Sequence, residues 1–583
     1  MEITPMIEPR PQGKRSGLRF IMLLLIVFIV VAAAVLGWLA SRPTPNKEMI
    51  IPSYMEKSSP IMIEGEWTHQ YALGSGEGML IPLSLAEQLF GEAVHYEAAS
   101  ESIILTTATQ VLHFRTGQLD ATLNRKSIEL RFAATKESDN LYLPLAPLTE
   151  LFGVKAEEGA ESGIVTLQVP GQAVQHAVVP EDAAKPIQLR DGPADSFPIV
   201  EQLEAGADVL LWSESEGWYK AQSNASGHIG FISKTAVSLT SVETFAANTE
   251  IVEPFGAWKS AGERVNLTWE AVYSANPKTS EIGELQGVNV VSPTWFELTD
   301  GAGNIRSKAD ASYSAWAKAR GIQVWALFSN GFEPNRTTEA LSTYESRSTM
   351  IQQLLAYAKS FHLQGINIDF ENVYTKDKEN LIQFVRELTP LLHEMNLVVS
   401  IDVTAKSNSE MWSAFLDRRS LGAVVDYMMV MAYDEHWASS PIAGSVSSLS
   451  WAENSIKRIL EEDDVPSRKL ILGIPLYTRV WTETTKEDGS KKVSSKSIGM
   501  GSTQNIIKDQ KLTPVFSEQT GQNYVEYTED GALKKIWIED ATSIKARAEL
   551  AKKYNLGGVA TWRRGFETSN IWGVLDETLQ SRP

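Results

Sequence analysis

Short apolar runs alternate with amphipathic segments along the C-terminal part of this chain. Apolar residues at helical spacing fill most of the intervals, for example at residues 349–362 and 378–395. Strands that alternate with helices in this way predict an α/β fold, a (β/α)8 TIM barrel over residues 250–583, with an α+β insertion after strand 7 at residues 479–538. The eight apolar runs that predict its strands are residues 264–271, 287–293, 322–329, 365–371, 397–404, 427–433, 469–477 and 557–562.

The N-terminus carries one long apolar stretch, residues 18–40, with a single charge at its edge. Its length is sufficient to span a bilayer, and Arg10, Lys14 and Arg15 precede it. The positive-inside tendency then predicts a cytoplasmic tail (1–17), a transmembrane signal anchor (18–40) in a bacterial plasma membrane, and all later domains on the extracellular, cell-wall side. A cleaved signal peptide is the alternative. The apolar region of such a peptide is normally shorter, and no clean small-x-small cleavage site follows this stretch.

A Pro-, Ser- and Lys-rich linker (41–60) leads into an internal repeat. The run MLIPLSLAEQLFG at residues 79–91 recurs as LYLPLAPLTELFG at residues 141–153. Each copy reads as a strand, a proline at a helix start, a short helix and a capping glycine, which predicts a two-copy α+β module over residues 61–170. This module resembles the stalk-like repeats of copper amine oxidase N-terminal domains, and the resemblance implies spacing or wall contact rather than copper.

Residues 184–240 predict a small all-β barrel, because short strand patterns with glycine turns follow one another at regular spacing. The pattern resembles a bacterial Src-homology-3-like domain. Two interpretations of Trp218 and Tyr219 stay open, namely binding of wall peptides or glycan and simple packing in the small barrel.

Composition excludes several classes of function. The net charge of −19 argues against nucleic acid as a partner. Because the chain has no cysteine, it can form no disulfide, no thiolate zinc site and no cysteine nucleophile, and such a chain fits an exported bacterial protein. His95 and His113 are too isolated for a metal site, so neither metal nor cofactor is expected.

The fourth predicted barrel strand carries the strongest chemical pattern, Gly-Ile-Asn-Ile-Asp-Phe-Glu at residues 365–371. Period-two alternation places Asn367, Asp369 and Glu371 on one face of the strand. Two carboxyl groups at successive positions of one face repel each other, so one pKa rises and that group can act as a general acid. A strand with a solvated polar face is the alternative interpretation of these residues alone.

Other predicted strands end in groups suited to a sugar-binding cleft. Strand six ends in Met431, Tyr433 and Asp434, and the flat rings at several strand ends could stack on pyranose faces. The remaining candidates follow strands two, seven and eight: Trp295, Tyr477, Arg479 and Trp562.

Together these motifs resemble glycoside hydrolase family 18, the chitinase-type barrels, from about residue 254 to the C-terminus. The family pattern Asp-x-x-Asp-x-Asp-x-Glu falls on Gln364, Asn367, Asp369 and Glu371, and its Met-x-Tyr-Asp pattern falls on residues 431–434. The form Asn-Ile-Asp-Phe-Glu-Asn is closest to the bacillary spore-cortex and cell-wall N-acetylglucosaminidase branch.

The resemblance implies substrate-assisted retaining hydrolysis. Glu371 would protonate the glycosidic oxygen, Asp369 would stabilise the reacting 2-acetamido group, and Tyr433 would hold its carbonyl. Asn367, Met431, Asp434, Tyr477, Arg479, Trp295 and Trp562 would bind substrate. Gln364 and Asn367 depart from the family pattern, and Asn367 cannot share a proton with Asp369, so a shifted pH optimum is expected.

The expected partner is peptidoglycan or another N-acetylglucosamine polymer. Chitin or a chitooligosaccharide is the rival substrate within the same class of enzyme. A catalytically weak, glycan-binding wall protein is the alternative from another class. Whether cleavage is exo or endo stays open.

Overall fold

The computed structural model describes residues 16–40, 45–245, 255–256, 264–485 and 489–580, with the side chains of residues 16–20 and 36–40 left out. Most of the predicted cytoplasmic tail (1–17) and the start of the linker therefore lie outside the described residues. By their internal contacts, the residues form two compact units, one of residues 1–85 and 136–249 and the other of residues 86–135 and 250–583.

The apolar N-terminal stretch forms helix α1 (Ser16–Ala40). Among the described residues, however, no helix satisfies both the length and the apolar character that a bilayer crossing requires. The predicted single-pass location is therefore wrong, and the transmembrane anchor and its membrane partner are not supported.

The repeat region contributes strands to both compact units, β1 to β3 to the first and β4 to β8 to the second. The strand–helix pairs of the two copies are β3–α2 here and β10–α3 further along the chain. The first elements are β1 (Pro60–Ile63), β2 (Glu66–Tyr71), β3 (Leu80–Pro82), α2 (Leu83–Phe90), β4 (Val94–Glu97), β5 (Ser102–Thr106), β6 (Val111–Arg115), β7 (Asp120–Leu123) and β8 (Lys126–Glu129).

The chain then completes the first unit. Its later elements are β9 (Thr135–Glu137), β10 (Asn140–Pro144), α3 (Leu145–Phe152), β11 (Lys155–Glu158), β12 (Val165–Gln168), β13 (Ala173–Val178), β14 (Ile187–Arg190), β15 (Ile199–Leu203), β16 (Asp208–Ser215), β17 (Trp218–Ser223), β18 (Ile229–Ser233) and β19 (Ser238–Thr244).

Strands of the first unit form three sheets, ordered β11-β12-β1-β2, β3-β10-β9 and β15-β14-β18-β17-β16-β13-β19. The two repeat copies pair with each other, because β3 and β10 are antiparallel with Leu143 opposite Ile81. The seven-stranded sheet occupies the segment with the Src-homology-3-like pattern, and that assignment and the predicted domain boundaries stay predictions.

The second unit contains a closed barrel of eight parallel strands. Each strand pairs with its neighbours on both sides, and the last strand pairs with the first. Closure confirms the predicted TIM barrel. The barrel strands, in order, are β20 (Val265–Glu270), β21 (Val290–Pro293), β24 (Gln323–Ser329), β25 (Gly365–Asp369), β26 (Val398–Thr404), β27 (Tyr427–Met431), β28 (Leu470–Pro475) and β34 (Gly558–Trp562), and β22 (Phe296–Leu298) and β23 (Ile305–Ser307) form a hairpin after the second.

Helices surround the barrel, and an α+β segment follows its seventh strand. That segment has an antiparallel sheet ordered β30-β29-β33-β32-β31. The elements are α4 (Ala311–Ala319), α5 (Pro334–Leu341), α6 (Tyr344–Ser360), α7 (Lys378–His393), α8 (Arg418–Val424), α9 (Leu449–Glu462), β29 (Tyr477–Thr485), β30 (Lys491–Gly499), α10 (Met500–Asp509), β31 (Val515–Ser517), β32 (Gln522–Glu529), β33 (Ala532–Ile538), α11 (Ala541–Lys553) and α12 (Ile571–Gln580).

Alternation along β25 divides its side chains between two environments. Ile366, Ile368 and Phe370 belong to the large core between the strands and the outer helices. Asn367 and Asp369 have the opposite parity and therefore point into the barrel. The barrel interior holds a separate core that includes Trp269, Trp325 and Met429.

The sheet β4–β8 packs on the outer helices of the barrel within the second unit. Ile104 and Val111 share the large core with the barrel, and the ring of His113 stacks on that of Tyr344 at 3.6 Å. Arg347 of α6 is fully buried, and its Nη2 donates to Glu387 of α7 at 2.6 Å and to Glu97 of β4 at 2.5 Å. One guanidinium therefore neutralises carboxylates from a second helix and from the sheet.

Replacing Arg347 by alanine leaves the carboxylates of Glu387 and Glu97 buried without their cation. We expect this to destabilise the protein by about 3 to 5 kcal/mol, the usual cost of removing one partner of a buried ion pair. Denaturant unfolding of the full chain measures the loss. The exposed Arg306, which pairs with Glu297 at 2.7 Å, provides the control, and Arg306→Ala should leave the unfolding midpoint close to that of the parent. Equal midpoints for the two variants would contradict this account.

Candidate active site

The centre of the site is the C-terminal end of β25. Asn367 is fully buried and Asp369 is 9% exposed, while Glu371 follows the strand and is half-buried. The C-terminal ends of barrel strands are the place where this fold carries its chemistry. The predicted face of Asn367, Asp369 and Glu371 therefore lies where a catalytic group would be expected.

The amide of Asn367 is held in one orientation. Its Oδ1 accepts hydrogen bonds from Trp269 Nε1 at 3.0 Å and from Ser292 Oγ at 3.1 Å. Its Nδ2 donates to Asp402 Oδ1 at 2.9 Å. Since the indole N–H can only donate, the amide oxygen must face Trp269 and the amide N–H must face Asp402.

Burial controls the charge of the two carboxyl groups on this strand. Desolvation raises the pKa of Asp369 to about 7. Desolvation, followed by repulsion from Asp369 and Asp434, raises the pKa of Glu371 well above its usual value. The pair therefore favours a protonated Glu371 beside an Asp369 that ionises more readily, which is the combination required of an acid and a neighbouring anion.

Asn330, at the end of β24, fixes the backbone of Glu371. Its Nδ2 donates to the Glu371 carbonyl at 2.8 Å, and its Oδ1 accepts from the Glu371 N–H at 3.1 Å. A second amide, Asn372 Nδ2, donates to the Phe332 carbonyl at 2.9 Å and so connects the next loop to the same region. The position of Glu371 thus depends on side chains from two strand ends.

Strand six and the start of the α+β segment bring together four of the predicted residues. Tyr433 follows β27, and Asp434 beside it has a left-handed backbone with φ of 60°, which aspartate tolerates. Asp434 Oδ1 accepts from Tyr477 Oη at 2.6 Å and from Arg479 Nη2 at 2.8 Å. Burial, followed by the charge of Asp402, raises the pKa of Tyr433 well above its usual value, so its hydroxyl stays protonated and can donate.

A glycine on strand seven makes room for the Tyr433 ring. A Cβ at Gly473 would lie 2.6 Å from the Val430 carbonyl oxygen and 3.3 Å from the Tyr433 ring. A larger residue at this position would push against the backbone of the neighbouring strand.

Strand eight contributes Trp562, which packs against the barrel-interior core with its ring centroid 5.9 Å from that of Trp269. Met431, at the end of β27, is half-buried. Trp295 lies elsewhere. It is fully buried in the outer core, where its Nε1 donates to Asn276 and its ring packs against Tyr313, so the structure does not bring it together with the other predicted residues.

Two groups of residues near the site carried no motif in the sequence. Asp402 is a buried acidic position on β26, and only the register of β25 and β26 shows that it faces Asp369. Phe332 and Trp412 are exposed aromatic rings 6.4 Å apart, on loops that follow strands three and five. Exposed aromatic residues immediately after predicted strands would have been the signal for them.

Within the described ranges, no three His, Cys, Asp or Glu side chains come together in a way that could hold a metal ion.

Comparison with known proteins agrees with this geometry. The family model described as Glycosyl hydrolases family 18 matches residues 271–567, which is 297 of the 583 residues. The model of the copper amine oxidase N-terminal domain matches residues 69–167 and confirms the resemblance of the repeat module.

The individual relatives described next share at most 27% sequence identity with this chain. The uncharacterized glycosylase YvbX of Bacillus subtilis (strain 168) is 27% identical over 332 residues, which cover 55% of this chain and 92% of that protein. The cortical fragment-lytic enzyme of the same strain is 27% identical over 235 residues, covering 39% of this chain and 52% of that enzyme. The crystal structure of the spore cortex-lytic enzyme SleL of Bacillus megaterium QM B1551 aligns with a TM-score of 0.49 at 20% identity, over 54% of this chain and 74% of that one.

The family match spans just over half of the chain and includes the end of β25 with its acidic residues. It covers seven of the eight strands of the closed parallel barrel, β21 to β34, and the strand ends that carry the buried carboxyl groups. The chain therefore belongs to glycoside hydrolase family 18.

Proposed function

We propose that this enzyme hydrolyses N-acetylglucosamine-containing glycan of the bacterial cell wall by substrate-assisted retention. The observation that carries the proposal is the pairing of Asp369 and Glu371 on one inward face, with burial favouring a proton on Glu371. Such a pair can supply one proton and one adjacent negative charge to a bound sugar.

An internal nucleophile, the substrate's own 2-acetamido group, is what membership of glycoside hydrolase family 18 implies for these two carboxyl groups. They belong to successive positions of one strand face, roughly 6 to 7 Å apart along the strand. A retaining mechanism with a protein nucleophile needs its two carboxyl groups on either side of the scissile bond. With both carboxyl groups on one strand, the family mechanism assigns the nucleophile to the substrate's 2-acetamido oxygen, and Asp369 stabilises the charge on the acetamido group.

The family mechanism assigns roles to the surrounding residues, and their positions at the strand ends are compatible with those roles. Glu371 donates its proton to the departing glycosidic oxygen, and Tyr433 donates a hydrogen bond to the acetamido carbonyl. Asp434, oriented by Tyr477 and Arg479, binds sugar hydroxyl groups, and Trp562 supplies an apolar ring for the sugar face. Asn367 orients neighbouring side chains, and Met431 lines the same end of the barrel.

The choice of cell-wall glycan rests on the relatives. One is named a cortical fragment-lytic enzyme and another a glycosylase. Chitin is the rival substrate, because relatives named chitinase or chitobiase also match this chain. Both polymers contain N-acetylglucosamine, so the proposed chemistry is the same for each.

Replacing Glu371 by glutamine removes the proton donor and keeps the shape of the side chain. We expect hydrolysis of purified peptidoglycan by the full chain to fall by about 10²- to 10⁴-fold, the usual contribution of a positioned general acid. Mass spectrometry of the released muropeptides should show new reducing-end N-acetylglucosamine with the parent enzyme only. Glu379→Gln, at an exposed position of α7, is the matched control and should retain activity.

Two results would contradict this proposal. Turnover by Glu371→Gln at the parent rate would remove Glu371 from the role of acid. Cleavage of chitin oligomers with peptidoglycan untouched would transfer the proposal to the rival substrate.

The pKa of Glu371 lies above that of Asp369, and this order predicts a bell-shaped dependence of kcat/KM on pH. Asp369 acts as an anion, so activity should fall as pH drops through its pKa of about 7. Glu371 acts as an acid, so activity should fall again as pH rises through its raised pKa. Because Asp434 is one cause of that raised pKa, Asp434→Asn should move the alkaline limb to lower pH. Initial rates on a soluble oligosaccharide measure both limbs, and an unmoved alkaline limb would contradict the assignment.

The exposed pair Phe332 and Trp412 has the geometry of a sugar-stacking surface beside the loop of Glu371. Trp412→Ala should lose about 1 kcal/mol of stacking and raise KM roughly fivefold, with a smaller change in kcat. Phe132→Ala, at an exposed aromatic residue outside the strand ends, is the control and should leave KM unchanged. Steady-state kinetics on a long oligosaccharide separates the two variants. A change in kcat alone would exclude this role for Trp412.

A further inference from the structure

Asp402 is a third carboxyl group at the centre of the site. It lies on β26, next to β25, and is only 2% exposed. The two strands pair in parallel with Asn367 opposite Ser400 and Ile368 opposite Ile401. The next position on each strand is Asp369 and Asp402, so the two carboxyl groups face each other across neighbouring strands, roughly 5 Å apart at the backbone.

Asn367 holds Asp402 but cannot replace it. The amide donates one hydrogen bond to Asp402 Oδ1, and its oxygen is already engaged by Trp269 and Ser292. The same amide nitrogen also contacts Met429 Sδ at 4.0 Å. A hydrogen-bond donor for the inner side of Asp369 therefore has to come from another side chain.

Asp369 has an acceptor that is unused in the described part of the chain. Its Oδ1 is buried and has no hydrogen-bond partner there. A buried carboxylate oxygen without a donor is unfavourable, since desolvation is then not offset by a hydrogen bond. Asp402, on the facing strand, is an acidic side chain placed to supply that donor when it is protonated.

We propose that Asp402 is a positioning residue that keeps its proton and donates it in a hydrogen bond to Asp369, so that Asp369 remains the anion beside Glu371. The inference rests on the proposed roles of Asp369 and Glu371. The proton stays on Asp402 throughout, so no bond is formed or broken there. The carboxyl group that Asn367 lacks is thus supplied from the neighbouring strand.

The charges around Asp402 agree with a protonated state. Burial, followed by the charge of Asp369, raises the pKa of Asp402 well above its usual value. Glu371 adds to this effect, while hydrogen bonds from Asn367 and Trp269 act against it. Tyr433, which follows β27, faces Asp402 with a neutral phenol. Asp434 accepts a hydrogen bond from Tyr477 and is paired with Arg479. On β20, Glu270 is paired with Arg564 and is therefore compensated. Asp369, with a pKa of about 7, is the member that ionises first.

The test compares Asp402→Asn with Asp402→Ala in the full chain. Asparagine keeps a neutral donor, so kcat and the acidic limb of kcat/KM should stay close to those of the parent. Alanine removes the donor, and kcat should fall by about 10- to 100-fold with little change in KM, as for other residues that orient a reacting group. Because loss of the donated hydrogen bond raises the pKa of Asp369, the acidic limb should move up by about one pH unit.

A double variant guards against misfolding of Asp402→Ala. Asn367→Asp combined with Asp402→Ala returns an acid to the Asp369 face at position 367. It should recover kcat and bring the acidic limb back towards that of the parent. A purely structural effect of the cavity at position 402 would not be reversed in this way.

Three outcomes overturn the inference. The first is an Asp402→Ala enzyme with the parent's kcat and acidic limb. The second is a folded Asp402→Asn enzyme as impaired as Asp402→Ala, which would mean that the anion of Asp402 is needed. The third is a folded double variant without recovery. Failure of the proposed function itself is distinguishable, because the parent would then be inactive or Glu371→Gln would be fully active.

Discussion

Desolvation of carboxyl groups by the closed barrel is the constraint on which the site depends. A closed ring of eight parallel strands leaves no room for bulk water around Asp369 and Asp402, so each charge placed there is costly. Asp369, Glu371 and Asp402 cannot all ionise at neutral pH. Burial therefore favours protonated Glu371 and Asp402 beside an ionised Asp369. Acid and anion can then act side by side.

The hydrogen bonds around Asn367 fix the orientation of its amide between the strands of the site. Trp269 and Ser292 come from strands one and two, and Asp402 comes from strand five. One amide thus connects strands on opposite sides of β25. In the proposed mechanism an amide can replace an acid at this position, because the charges of the whole barrel interior, rather than of one strand, determine which group ionises.

The sequence was sufficient for the barrel and for the face of β25, because period-two alternation and strand order are local properties. Gly365 to Glu371 carries both signals in seven residues. The sequence alone could not place Asp402 opposite Asp369, since register between strands depends on tertiary pairing. It also placed Trp295 in the cleft, whereas that ring fills the outer core, because an aromatic residue at a strand end fits either environment. The single-pass location was the other failure, and it had been predicted from the length of the apolar N-terminal stretch and the positive charges before it.

The sheet β4–β8 changes what counts as the catalytic domain. By sequence it belongs to the repeat module, yet its Glu97 shares the buried Arg347 with Glu387, and its His113 covers Tyr344. A fragment cut at the apparent start of the barrel would expose that guanidinium and the apolar surface around it. The smallest unit with an intact surface is discontinuous in the chain, and recombination of such barrels between proteins would have to carry this sheet with them.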